Sequence, residues 1–111
     1  MPKLSEVLTR ARRAVAGGWA EPMSLTAAGH ICAIEDEGIT RYCVHDALEL
    51  GAQFDPDLQG EAWEAVARQL ALRVQRHDLG TWLSEAGRTH HEVLSLLAHT
   101  EAHAHAEESR P

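Results

Sequence analysis

The stretch DPDLQGEAWEAVARQLALRV, Asp55 to Val74, decides the fold class. Asp55 followed by Pro56 is a helix start: the aspartate side chain accepts from amides of the first turn, and proline at the first helical position has no amide to leave unpaired. Leu58, Ala62, Trp63, Val66, Ala67, Leu70 and Val74 then recur at helical spacing, which predicts one apolar face running to about His77. Gly60 weakens the opening turns by roughly 1 kcal/mol relative to alanine. This is the longest core helix in the chain.

Upstream, Tyr42 to Leu50 also reads as helical, with Val44, Ala47, Leu48 and Cys43 turned inward and Gly51 as the stop. The first segment, Ser5 to Ala16, carries Leu4, Val7, Leu8, Ala11, Ala14 and Val15 on one stripe, with Ser5 as N-cap. Gly17 and Gly18 end it in the left-handed position that glycine tolerates best, and Trp19 follows as an anchor. Ala20 to Ala28 is loop-like. His30 to Ile34 and Ile39 to Tyr42 read as two short strands about the turn Glu35-Asp36-Glu37-Gly38.

Downstream, Thr81-Trp82-Leu83 tucks an aromatic under the bundle, and Thr89-x-x-Glu92 is a capping box that opens the last helix. Val93, Leu94, Leu96, Leu97 and Ala98 form its buried stripe. The expected fold is therefore mainly α, about four helices in a small bundle with a short β-hairpin near residues 30–42. One domain is expected over residues 1–106, with 107–111 as a flexible tail.

Composition agrees with this reading. A chain of 111 residues holds a core without crosslinks. Its 44% hydrophobic content comes with only three Trp, one Tyr and one Phe, a balance that favours packed helices. The formal charge is -7, and nine of the seventeen acids lie between Glu35 and Glu64 with only Arg41 among them. Such a surface repels a phosphate backbone, so no nucleic-acid partner is expected. Lys3, Arg10, Arg12 and Arg13 are too few to make a phosphate footprint and read as a solvated helix face. Neither a signal-peptide core nor an apolar run near the roughly 20 residues of a membrane span is present, and the two cysteines make no disulfide framework. A soluble protein of the reducing cytoplasm, without a membrane association, is the expectation.

The densest chemistry is His30-x-Cys32 followed by Cys43-x-His45, four ligand types that zinc accepts in a tetrahedral site. On a strand His30 and Cys32 share a face; on a helix Cys43 and His45 point about 200° apart, and a one-residue spacing is unusual for structural zinc. The competing reading makes both cysteines small buried hydrophobes, with His30 and His45 near the surface and no cofactor. Cys43 also sits where a helix N-terminus lowers a thiol pKa, so a thiol enzyme with His45, His90 or His91 as base is a further alternative. His99 and His103, one turn apart, with His105 beyond, can chelate a metal incidentally. The Glu35-Asp36-Glu37 run reads as an acidic turn.

Three segments resemble a family of small actinobacterial and phage proteins of unknown function: Leu4-x-x-x-Leu8-x-x-Ala11-Arg12 ending in Gly18-Trp19, Arg41-Tyr42-Cys43-x-x-x-Ala47-Leu48, and Thr89-x-x-Glu92-Val93-Leu94-x-Leu96-Leu97. The resemblance implies a central helix that begins at an aromatic-Cys pair and a final threonine-capped helix. It implies no activity. This chain departs from that pattern with Val44 and Asp46 after the cysteine and with Ser84-Glu85 where an Asn-Asp pair is common. The leading functional expectation is a protein-interaction or regulatory module whose acidic region meets a protein partner with a basic face, with a homodimer as the side expectation. Zinc binding through His30, Cys32, Cys43 and His45 is the alternative.

Overall fold

The computed structural model describes residues 2–31 and 38–110. Among them the chain forms α1 (Leu4–Gly17), β1 (Leu25–Thr26), β2 (Ile39–Arg41), α2 (Val44–Gly51), α3 (Pro56–Val74), α4 (Leu79–Ser84) and α5 (His90–Glu108). The class is the expected one, mainly helical with a small antiparallel pair of strands. The Thr81-Trp82-Leu83 stretch forms the extra, short helix α4, capped by Asp78 Oδ1 accepting from Thr81 N at 3.0 Å.

The locally encoded starts form as the sequence dictates. Asp55 Oδ1 accepts from Asp57 N at 3.0 Å and Leu58 N at 3.2 Å. At α5, Thr89 Oγ1 accepts from Glu92 N at 3.1 Å while Glu92 Oε1 accepts from Thr89 N at 2.9 Å. Each cap supplies partners for amides that the first helical turn leaves unbonded. The stripes they launch meet in one core. Val7, Leu8, Ala11 and Val15 of α1 are fully buried with Ala47 and Leu48 of α2, Val66 and Leu70 of α3, and Val93 and Leu97 of α5. Each large side chain so buried contributes about 1.5–3 kcal/mol. Helix α1 packs on both α2 and α5, and α3 closes the bundle against α5 and α2. Trp82 is buried beneath α4, with the Arg88 guanidinium 3.8 Å above its ring.

Ser5 is not the N-cap of α1; that position is Lys3, and Ser5 lies one residue inside the helix, buried. Its amide and hydroxyl both donate to the Glu108 carboxylate. Seven residues on, Arg12 Nε donates to Glu101, which also accepts from Thr9 Oγ1 at 2.7 Å. These bonds fasten α5 to α1, and α5 continues through Glu107 and Glu108, past the Ala106 boundary expected from the sequence.

Strand β2 forms where the sequence places it, but its described partner is β1: Leu25 pairs with Arg41 and Thr26 with Ile39. The chain turns back inside 25–31, where Gly29 N donates to Thr26 O and Thr26 N to His30 O, both at 2.9 Å, and Ile31 bridges Leu25. The predicted strand His30 to Ile34 falls largely outside the described residues, as does the acidic turn. Tyr42 is not yet helical; it bridges Trp19, with Tyr42 N donating to Gly18 O at 2.9 Å. Gly18 closes α1 in an extended conformation, φ 163°, rather than the left-handed one. Glycine is needed there for room, since a Cβ would lie 2.2 Å from Thr40 O.

Candidate functional site at the two ends of α2

At its N-terminal end, α2 is capped by side chains from the preceding loop. Cys43 is the N-cap, and its Sγ accepts from Asp46 N at 3.4 Å. Glu21 Oε2 accepts from Val44 N at 2.9 Å and from Trp19 Nε1 at 3.0 Å. Ser24, completely buried, accepts from Cys43 N at 3.1 Å and donates its hydroxyl to Asp46 Oδ2 at 2.6 Å. These groups satisfy the helix start and fix the Asp46 side chain.

Burial dominates the electrostatics here. Desolvation pushes the Cys43 thiol up to about 11, against the Asp46 amide and the Ser24 hydroxyl, and the negative charges of Asp46 and Glu21 raise it further. The helix-dipole effect expected from the sequence is outweighed, and the thiol keeps its proton at neutral pH. Glu21 is raised as well, chiefly by desolvation, against its bonds from Val44 and Trp19. Among the described residues no histidine hydrogen-bonds Cys43. His90 Nε2 bonds instead to Val15 O at 2.6 Å, with its ring stacked on Trp19. His91 is exposed. The arrangement is a structural cap, not an activated thiol.

The four residues expected to hold zinc are placed differently from one another. His30 is exposed in the β1 turn, with its amide donating to Thr26 Oγ1 at 3.2 Å. Cys32 lies outside the described residues. Cys43 is buried with its sulfur engaged by the cap, whereas the His45 side chain is 60% exposed. Cys43 and His45 therefore do not converge, in line with the angular separation that helix geometry imposes.

At the other end, Gly51 does not stop α2. It is the last helical residue, and its lack of a side chain admits the α1 backbone: a Cβ would lie 2.5 Å from Val7 O. The stop comes two residues later. Gln53 N donates to Leu50 O and Phe54 N to Glu49 O, both at 3.0 Å, the hydrogen-bond pair of a Schellman motif. Gln53 takes the left-handed position that usually holds glycine, φ 54°, and Phe54 follows at φ 63°. Two successive side-chain-bearing residues in that region are rare, because Cβ crowds the carbonyl.

The result is a projection. Phe54, the chain's single phenylalanine, is 50% exposed, and Leu50 beside it 39%. Around them are Glu49, Asp55 and Asp57, and the exposed Asp57, Glu61 and Glu64 continue along one face of α3 at i, i+4 and i+7. Among the described residues, none of these acids pairs with Lys or Arg; the ion pairs lie on α1, α5 and the segments flanking α4. Sequence reasoning found the acids but not Phe54. Its signal was slight: a lone aromatic between a helix stop and the Asp55 cap.

A family model described as a family of unknown function, DUF6197, matches residues 1–103. That agrees with the resemblance read from the sequence in so far as it concerned a family of unknown function. No curated protein and no solved structure matches the chain.

Proposed function

The chain belongs to DUF6197, a family of unknown function, and from its own geometry we propose that it is a protein-interaction module whose contact surface centres on Phe54. The observation that carries this reading is the display of Phe54. A left-handed conformation costs a non-glycine residue roughly 1–2 kcal/mol, and the cost falls here on two neighbours. Folding alone gains little in return, because the ring so placed remains half exposed. Aromatic side chains standing clear of a surface are the usual anchors of protein contacts, and a polar rim around them sets register.

The rim supports one class of partner. Carboxylates that pair with no Lys or Arg among the described residues favour a basic protein face with an apolar socket for the phenyl ring. They disfavour nucleic acid, whose phosphates carry the same sign. Binding of this kind weakens as salt screens the rim, while the aromatic anchor governs dissociation.

The test uses immobilised full-length chain against host lysate at low salt, with four proteins compared: wild type, Phe54→Ser, the triple variant Asp57→Asn/Glu61→Gln/Glu64→Gln, and Leu72→Ser. Leu72 is 72% exposed on α3, near Arg68 and Arg73, and serves as the apolar control. One basic protein held by wild type and Leu72→Ser, lost from the other two and released at high salt, is the expected result. Equal retention by Phe54→Ser, or retention indifferent to salt, refutes the reading.

A further inference from the structure

We propose that His45, Asp46 and Glu49 on the outer side of α2 form a binding site for a divalent transition-metal ion of the zinc class. Each offers one donor atom, and these atoms all lie within 4.8 Å of one another. His45 and Glu49 are one helical turn apart on the same face, and Asp46 stands beside them at the first turn. This set differs from the His30, Cys32, Cys43 and His45 arrangement expected from the sequence. It retains only His45.

The spacing between His45 and Asp46 suits coordination better than hydrogen bonding. His45 Nδ1 and Asp46 Oδ1 are 3.4 Å apart, longer than a good nitrogen–oxygen hydrogen bond. Two ligands each about 2.0–2.1 Å from a tetrahedral ion lie roughly 3.3 Å from one another. Asp46 is also pre-set for the task. Ser24 holds Oδ2 at 2.6 Å from the buried side, which leaves Oδ1 to face His45. No ordering of the aspartate is left for the ion to impose.

A support for the histidine is in place behind it. The Gln59 side-chain amide, from α3, lies 3.0 Å from His45 Nε2, and the Trp63 ring stands edge-on to the imidazole at 6.2 Å. With a metal on Nδ1 the proton sits on Nε2, and that N–H donates a hydrogen bond to Gln59 once the amide is rotated by a half-turn to present its oxygen. Metal-bound histidines are almost always oriented by such a partner on their other nitrogen. The charge surroundings act in the same direction: Asp46, Glu49 and the nearby Glu21 bring three carboxyls together, and none of them pairs with Lys or Arg among the described residues.

One imidazole nitrogen and two carboxylate oxygens select a borderline ion over calcium or magnesium, which prefer all-oxygen shells. The side chains are exposed to intermediate in burial, so water completes the shell. The site does not depend on the partner contact at Phe54, and it is measured on the isolated chain, so the two readings fail separately.

The experiment is zinc titration by calorimetry on untagged full-length protein carrying His99→Ala, His103→Ala and His105→Ala, which removes chelation by α5. Expected are one zinc per chain, affinity lowered at least tenfold by His45→Ala and by Glu49→Gln, and a loss of about tenfold with Gln59→Ala. Both ligand side chains reach solvent, so circular dichroism should show an intact fold. Cobalt(II) in place of zinc should give no thiolate-to-metal charge-transfer band. The proposal is overturned by the absence of a stoichiometric zinc, by undiminished binding in His45→Ala or Glu49→Gln, or by a thiolate band, which would move the ion to a cysteine.

Discussion

Replacing Gln53 with glycine should make the protein more stable, although it removes a side chain and adds no contact. Gln53 holds φ 54° at the Schellman position of α2, with its side chain in solvent. Glycine keeps both hydrogen bonds of the motif, Gln53 N to Leu50 O and Phe54 N to Glu49 O, because both come from backbone amides. It removes a steric cost of roughly 1–2 kcal/mol. Against that stands the larger conformational freedom of glycine in the unfolded chain, about 0.5–1 kcal/mol. The net gain lies between about 0 and 1.5 kcal/mol, centred on about 0.75 kcal/mol, which corresponds to a rise of roughly 2–5 °C in Tm for a domain of this size. Urea unfolding followed by circular dichroism measures it, with Gln75→Gly as the parallel case, since Gln75 is the left-handed C-cap of α3. A midpoint for Gln53→Gly at or below wild type, with unchanged slope, would mean that the turn carries no such cost. Phe54 would then be displayed at no conformational cost to Gln53.

Other perturbations probe the rest of the frame. Gly51→Ala should destabilise by about 1–3 kcal/mol in the same urea assay, because its Cβ meets the α1 backbone rather than a side chain that can move. Glu101 is held below the ordinary carboxylate range, first by its bond from Arg12 and then by Thr9. Its stabilisation is therefore full above the unfolded value and is lost as pH falls through the folded one, so Glu101→Gln should flatten the decline of Tm between about pH 5 and pH 3. Glu21, raised by burial, acts in the opposite sense: the fold favours its acid form, and that contribution is lost as pH rises through its folded value. Native Cys43 should react with an alkylating reagent far more slowly near neutral pH than it does in urea, as read by mass spectrometry, because its thiol sits at about 11 and is buried.

The parts of this fold legible in the sequence are those set by neighbours along the chain. Asp55-Pro56 and Thr89-x-x-Glu92 announce helices because cap and amide are within a few residues of each other. Ser5 looks like a cap by the same local logic, yet its partner is Glu108, 103 positions away. Gly51 looks like a helix stop, but its role is set by Val7 on another helix. The strand partner Leu25–Thr26 carries too short a pattern to announce itself. At the candidate site the same divide holds. The helix start beside Cys43 was readable within two residues, and from it a lowered thiol pKa followed; the burial that reverses the shift comes from the loop that carries Glu21 and Ser24. Phe54 was missed because nothing in a glutamine or a phenylalanine encodes a left-handed backbone.

The bonds that tie Ser5 to Glu108 and Arg12 to Glu101 bear on how the protein is made. Helix α1 is synthesised well before α5, one of the helices that cover it. Until α5 clears the ribosome, part of the surface around Val7, Leu8, Ala11 and Val15 has no permanent neighbour, and the nascent chain carries an open apolar flank while α2, α3 and α4 are made. Native packing of this domain thus waits for α5, and truncation within α5 removes a wall of the core rather than an appendage.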